Sequence, residues 1–297
     1  MSKQHSQQWS GGTALHAMAF ALVTGAMLTG CTNPGAVTTL AVRPNSRAVP
    51  ASVKRDSSTW SRDRMLRALA EHGGTSHQAR ATTSNARVGA LFHHDADGDH
   101  FCTASVVHSP AGNLLITAAH CVHGGRGGSY SSDLVFVPDY RNGSTPDGQW
   151  PVTGIVVDQR WITSSDPDRD VAFVTVGEVG GKNIESVLGG NALGIGMGFS
   201  NIVKITGYPS AAGAPISCLN RTTQQSRNQT RIACTGFPGG TSGSPWLTSF
   251  DPATRTGTVI GVIGGYQQGG DSADVSYSPY FDQDIQALYH QAITPSS

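Results

Sequence analysis

Three short stretches of this sequence set an imidazole, a carboxylate and a hydroxyl in surroundings suited to nucleophilic chemistry. In Leu115-Ile116-Thr117-Ala118-Ala119-His120-Cys121 an apolar run ends in small residues and then His120. An imidazole acting as general base must be held within about 3 Å of its nucleophile. A disulfide between the adjoining Cys121 and Cys102, on the preceding strand segment, would help to fix it. Asp170 directly precedes the apolar run Val171–Val176. A carboxylate at that place can be buried against imidazole Nδ1–H, where it sets the tautomer and stabilises the imidazolium. Its neighbours Asp166 and Asp168 are expected in a solvated Pro-Asp-Arg turn. In Gly239-Gly240-Thr241-Ser242-Gly243-Ser244-Pro245 glycines surround Ser242. They let the chain turn sharply, let a substrate approach, and let backbone N–H groups converge on one point where an oxyanion could be stabilised.

None of these signals is specific alone. The chain has 11 His and 37 Gly, and Asp before a strand is commonplace. Their joint occurrence carries the argument. The rival nucleophile elbow of α/β-hydrolases requires Gly-x-Ser-x-Gly, but Ser244 occupies the last position and no strand–helix alternation accompanies it.

The elements that must position these groups read as strands. Short apolar runs broken by Gly, Asp, Asn and Pro recur from Val88 onward: Val88–Phe92, Thr103–Val107, Asn113–Ala118, Leu134–Val137, Val152–Val157, Val171–Val176, Ile202–Ile205 and Val259–Ile263. This spacing predicts an antiparallel sandwich or barrel, with one clear helical stretch near the end, Asp282 to His290. Length allows one large domain or two small ones. Lys+Arg and Asp+Glu both number 20 in 297 residues, so no field of one sign points to nucleic acid.

The five cysteines divide into two local pairs, Cys102 with Cys121 and Cys218 with Cys234, and a single Cys31. Two disulfides require an oxidising compartment and hence export; the competing reading is free buried thiols in a reducing one. The N-terminus sides with export. Residues 1–31 run from Lys3 through an apolar stretch too short for the ~30 Å hydrocarbon core and read as a signal peptide. Leu28-Thr29-Gly30-Cys31 resembles the bacterial lipobox, which implies a lipidated Cys31 tethering the protein to the outer face of the cell membrane. Residues 32–87 have the composition of a largely disordered linker or pro-segment. Within them Trp60, Met65, Leu66 and Leu69 fall at near-helical spacing. A helix docked on the domain and a basic amphipathic helix on lipid are both open, and a merely nascent helix in a tether is the expectation.

With all three motifs in view, the chain resembles the trypsin/chymotrypsin superfamily. The matching residues are Thr117–Cys121, Asp170–Phe173 and Gly240–Pro245, in the order His, Asp, Ser, within a likeness running from about Val88 to Ala292. Gly207-Tyr208-Pro209 and Ser242–Pro245 are more similar to the bacterial branch that includes glutamyl endopeptidases. The resemblance implies an all-β domain over 88–297: two antiparallel six-stranded β-barrels with the active site in the cleft between them, and a short C-terminal helix. It implies a monomeric serine endopeptidase acting on proteins or peptides without cofactor or metal. His120 and Asp170 would come from the first barrel and Ser242, the acyl-forming nucleophile, from the second, with the N–H groups of Gly240 and Ser242 as oxyanion hole. Cys102–Cys121 matches the family's disulfide beside the catalytic His; Cys218–Cys234 is less standard in placement and is paired by elimination and proximity. A surface-binding lipoprotein that keeps the fold without catalysis is the alternative.

Departures from the family are informative. Thr241 stands where animal digestive members carry the Asp that receives a freed N-terminal ammonium, so that activation switch cannot operate in its usual form, and removal of a pro-segment should act by uncovering the cleft. Gly236 occupies the place of the trypsin pocket Asp, and Ile263 stands near that of the glutamyl endopeptidase His. With Gly264 and Gly265 these are the specificity-pocket candidates, and by exclusion they favour a neutral or apolar side chain. The run His93–His100 is expected to be a hairpin turn and not a metal loop, since Gly98 and the absence of a twelfth-position Glu break the calcium-loop pattern. Asn142, Asn220 and Asn228 begin glycosylation sequons of little use in a bacterial host.

Overall fold

The computed structural model describes residues 60–65, 79–82, 85–210 and 212–294. The expected leader with Cys31, and most of 32–87 including Leu66 and Leu69, lie outside these residues.

After a two-residue strand β1 (Arg80–Ala81), six strands build the first half: β2 (Val88–Asp95), β3 (Gly98–Val107), β4 (Leu114–Thr117), β5 (Ser132–Pro138), β6 (Trp150–Val157) and β7 (Ala172–Val176). They close into a barrel in the order β2-β3-β4-β7-β6-β5. Side chains alternate across a strand; β4 and most of β2, β3 and β7 are covered on both faces, which is why those runs are largely apolar, whereas β6 exposes Pro151 and Thr153. Cys102, Ala104, Val106, Leu115 and Val174 point into the barrel. Leu114, Ile116 and Phe173 point out, into a second core that they share with Phe281, Ile285 and Leu288.

Two short helices, α1 (Gln159–Ser164) and α2 (Ile184–Leu188), flank β7; the sequence reading did not anticipate either. The second half contains β8 (Ala192–Leu193), β9 (Ile202–Gly207), β10 (Ile216–Gln224), β11 (Gln229–Ala233), β12 (Pro245–Asp251), β13 (Thr256–Val262) and β14 (Val275–Pro279), followed by helix α3 (Gln283–Ile293). The pairing path is β14-β11-β10-β9-β12-β13-β8, with β1 attached to β10. Strand β14 also meets the end of β13, where Val262 N donates to Ser278 Oγ (3.0 Å) and Gly264 N to Tyr277 O (3.0 Å). Strands β9–β14 thus return on themselves, in keeping with the expected two-barrel, all-β architecture, and β8 and β1 are additions to it. The C-terminal helix is where the sequence placed it; Asp282 caps it by accepting from Asp284 N and Ile285 N, satisfying donors that a helix start otherwise leaves open.

The run from His93 to His100 is the β2–β3 hairpin, turned at Gly98 (φ +123°) with Asp97 N bonded to Asp95 Oδ1. The tether expectation fails for Trp60–Met65. Trp60 and Met65 are fully buried against the outer face of β2, with Phe92, Val135, Val137, Tyr140 and Tyr208. The Trp60 indole N–H donates to Asp133 O (2.8 Å), and Gln149 Nε2 donates to Trp60 O (3.0 Å). Arg64 lies 3.9 Å above the Trp60 ring, makes a bidentate pair with Asp99 and pairs with Asp133. Burying an apolar side chain of Met size contributes about 1.5–3 kcal/mol, more than a bare tether gains from any contact. The body therefore begins upstream of Val88.

Candidate active site

His120 sits in a single 3₁₀ turn, Ala119–Cys121, that follows β4 directly. The turn is pinned by the Cys102–Cys121 disulfide to β3, and the Trp161 ring stands 6.5 Å from the imidazole. The second disulfide joins Cys218 and Cys234. Among the described residues one trio of possible metal ligands is clustered, Cys102, His120 and Cys121, and both of its sulfurs are consumed in the disulfide.

Asp170 closes a second 3₁₀ turn, Pro167–Arg169, and has no exposed side-chain surface. Its Oδ2 lies 2.8 Å from His120 Nδ1 and accepts from Gly265 N (2.8 Å); its Oδ1 accepts from His120 N (2.9 Å). Three N–H groups therefore converge on one buried carboxylate, the satisfaction that a buried charge requires. The turn carrying it is held from both sides. Asp168, expected in a solvated turn, instead accepts from Asn228 Nδ2 (2.7 Å) and Gln229 Nε2 (2.8 Å). Arg169 is buried and pairs with Asp282, the cap of α3, and with Asp284 in its first turn. Gln229 also accepts from Tyr266 N (3.1 Å), tying the turn to the segment that bonds Asp170. Asn228, flagged in the sequence as a glycosylation sequon, has its amide engaged in this network.

Ser242 lies between Gly240 (φ +87°) and Gly243 (φ +80°), both in the region that favours glycine. Its carbonyl accepts from Thr103 N (2.7 Å), and Gly243 N donates to Ile263 O (2.7 Å). A Cβ on Gly243 would collide with Thr103 O and Thr117 Oγ1. The serine turn is thus pressed onto β3 and β4, three residues before His120. That contact brings the third motif to the first.

Three N–H groups of this turn have backbone acceptors. Thr241 N donates to Pro238 O, Gly243 N to Ile263 O and Ser244 N to Thr241 O. Among the described residues the N–H groups of Gly240 and Ser242 have no acceptor. Their peptide planes are set by the carbonyls on the opposite edge: Gly239 O accepts from Ser210 N (2.9 Å), and Thr241 O accepts from Ser244 N (3.0 Å). Thr241 itself is buried, and its hydroxyl donates to Pro238 O (2.6 Å). It is satisfied locally and calls for no ammonium partner.

Of the pocket candidates, Ile263 is buried in one apolar cluster with Phe237, the residue after Gly236, and Gly236 N donates to Ala273 O (2.8 Å). Gly264 approaches Asp170, where a Cβ would lie 3.1 Å from Oδ2. Gly265 is consequently more than a pocket candidate, since its N–H supports the carboxylate.

The trypsin-like peptidase domain matches residues 102–262, more than half of the chain. The chain belongs to this family. With membership comes the class, a hydrolase of the serine-protease type. No curated protein sequence matches. Among solved structures, the protease Anisep from Arthrobacter nicotinovorans superposes with a TM-score of 0.66 at 24% identity, covering 73% of this chain and 99% of its own. A thermostable serine protease, AL20, from an extremophilic microorganism gives 0.65 at 26% identity, covering 71% and 99%. A Glu endopeptidase gives 0.58 at 18%, covering 75% and 98%, a likeness of fold alone.

His123, three residues beyond His120, carries a pH prediction for this loop. It is buried, accepts from Gly125 N at Nδ1 (3.0 Å) and packs edge-on against Tyr130. Burial holds its imidazole below the usual histidine range. The unfolded chain therefore binds a proton first as pH falls through about 6.5, so stability is full above that pH and declines below it, toward the folded group's own range. The melting temperature of the wild type should fall between neutral and mildly acid pH, and His123→Asn should flatten that fall. An unchanged slope in the variant would show that His123 is not its source.

Proposed function

We propose that this chain is an exported serine endopeptidase that forms an acyl-enzyme on Ser242. The observation that carries the reading is the contact of His120 Nδ1 with the fully buried Asp170. An ionised carboxylate only accepts, so Nδ1 bears the proton and Nε2 is left basic. Ser242 Oγ attacks the scissile carbonyl carbon as His120 Nε2 takes the hydroxyl proton. The carbonyl oxygen becomes an oxyanion, for which the unpartnered N–H groups of Gly240 and Ser242 are suited; each such donor is worth about 3 kcal/mol in the transition state. Collapse of the tetrahedral intermediate breaks the C–N bond, and His120 returns the proton to the leaving amine. A water molecule then repeats the sequence on the acyl-enzyme, releasing the acid and restoring Ser242.

The proposed substrate is a protein or peptide with a neutral or apolar side chain at the cleaved residue. Gly236, Ile263, Gly264 and Gly265 bring no charge to the pocket, and Phe237 and Ile263 add apolar bulk beside it. Two disulfides favour an oxidising compartment. No helix among the described residues is long and apolar enough to cross a membrane. The proposed attachment is lipidation at Cys31, with the protein on the outer face of the cell membrane.

A fluorophosphonate probe tests the reading. The wild type is expected to be labelled and Ser242→Ala to be silent. A wild type that does not react, or a variant labelled equally, would replace the protease with a non-catalytic surface binder.

A further inference from the structure

We propose that Trp60 is a positioning residue for the oxyanion turn, and that the Trp60–Met65 stretch sustains turnover instead of restraining it. The inference rests on the serine-protease reading above.

A continuous path of contacts leads from Trp60 to Gly240. The Trp60 ring lies 5.0 Å from Phe92, which stands 5.9 Å from Phe101 and 5.2 Å from Tyr140. Phe101 covers Gly240 so closely that a Cβ there would lie 2.5 Å from its ring. By the other branch Tyr140 packs 6.3 Å from Tyr208, whose hydroxyl donates to Val88 O (3.3 Å). Tyr208 N donates to Thr103 Oγ1 (2.9 Å), and that hydroxyl donates to Gly240 O (3.1 Å). Two residues on, Ser210 N holds Gly239 O. Both peptides flanking the Gly240 α-carbon are thus fixed by the segment 208–210 and by Thr103. The aromatic cluster behind that segment is completed by Trp60 and Met65.

Among the described residues, Trp60–Met65 is seated against the outer face of the first barrel and against Tyr208. Its partners include Phe92, Asp99, Asp133, Asn142 and Gln149. Trp60–Met65 braces the back of the turn from which an oxyanion donor projects. Close-packed interiors transmit such displacements, because side chains there have few voids into which to relax. Thr241 cannot supply the ion pair that orders the turn in digestive relatives, and an intramolecular brace would serve in its place.

The test uses the full chain with a peptide substrate selected on the wild type. Trp60→Ala is expected to lower kcat about 10- to 100-fold with KM within about 2-fold, since an oxyanion donor acts on the transition state and not on ground-state binding. Trp60→Phe should restore most of the loss. Arg64→Ala, which loosens the seat without opening a cavity, should move kcat in the same direction by about 3-fold. Near-UV circular dichroism establishes that each variant is folded. An unchanged kcat in folded Trp60→Ala overturns the proposal, and a raised kcat overturns it in favour of an inhibitory segment. If Trp60→Ala does not fold, Arg64→Ala decides. A lowered melting temperature at wild-type kcat in that variant would make the stretch structural only. An inert wild type would defeat the protease reading itself, a result distinct from any of these.

Discussion

Asp170→Asn is expected to cut kcat by about 10⁴-fold with a much smaller change in KM. The size follows from the three N–H groups that converge on this carboxylate: His120 N on Oδ1, and His120 Nδ1 together with Gly265 N on Oδ2. An asparagine has one acceptor oxygen and one NH₂ group. With its oxygen at the Oδ2 place, the NH₂ faces the His120 backbone N–H, donor against donor. With its oxygen at the Oδ1 place, the NH₂ faces Gly265 N–H and His120 Nδ1. The imidazole then does best to accept at Nδ1 and carry its proton on Nε2, where it can no longer take one from Ser242. Either orientation leaves a buried donor unmatched, a penalty of about 1–3 kcal/mol in stability. Kinetics and denaturant titration of the same variant measure both effects. A folded variant within about tenfold of wild-type kcat would remove Asp170 from the catalytic set.

The need for that convergence also explains how much of the site could be read from the chain. His120, Asp170 and Ser242 each stand in a local context that announces itself, because a strand end, a buried strand start and a glycine turn are properties of consecutive residues. What supports Asp170 is not consecutive. Gly265 lies 95 residues away and Gln229 lies 61 residues from Asp168. Nothing around Gln229 distinguishes it from a surface glutamine until β11 is placed beside the turn. The same limit applies to the strands. The first barrel is legible because most of its strand residues are buried, many on both faces, whereas β10 carries Leu219, Asn220 and Arg221 exposed to solvent. A strand with one wet, irregular face gives no clean period of two. Trp60 failed for a related reason. Its spacing was visible, but the partners that make it a docked residue, Phe92, Tyr140 and Tyr208, become a single surface only after the barrel closes.

Gly240→Ala should lower kcat by about 10²- to 10³-fold, the usual effect of losing one oxyanion donor. At φ +87° an added Cβ is strained whatever the surroundings, and here it would lie 2.5 Å from Phe101 Cζ and 2.8 Å from Tyr208 O. The phenyl ring can shift, but the carbonyl belongs to backbone that is itself held through Tyr208 N by Thr103. Relief therefore comes from rotating the Gly240 peptides, which breaks Ser210 N to Gly239 O or Thr103 Oγ1 to Gly240 O and swings the N–H away from Ser242. The rate of fluorophosphonate labelling should fall together with kcat, because the phosphoryl oxygen draws on the same donors, while KM stays within a few-fold. If kcat and labelling both stay within about 3-fold in a folded variant, the Gly240 N–H is not a donor to the transition state. A fall in KM-weighted binding alone would place Gly240 in substrate positioning instead, and Ser242 N would then be left as the single donor of this turn.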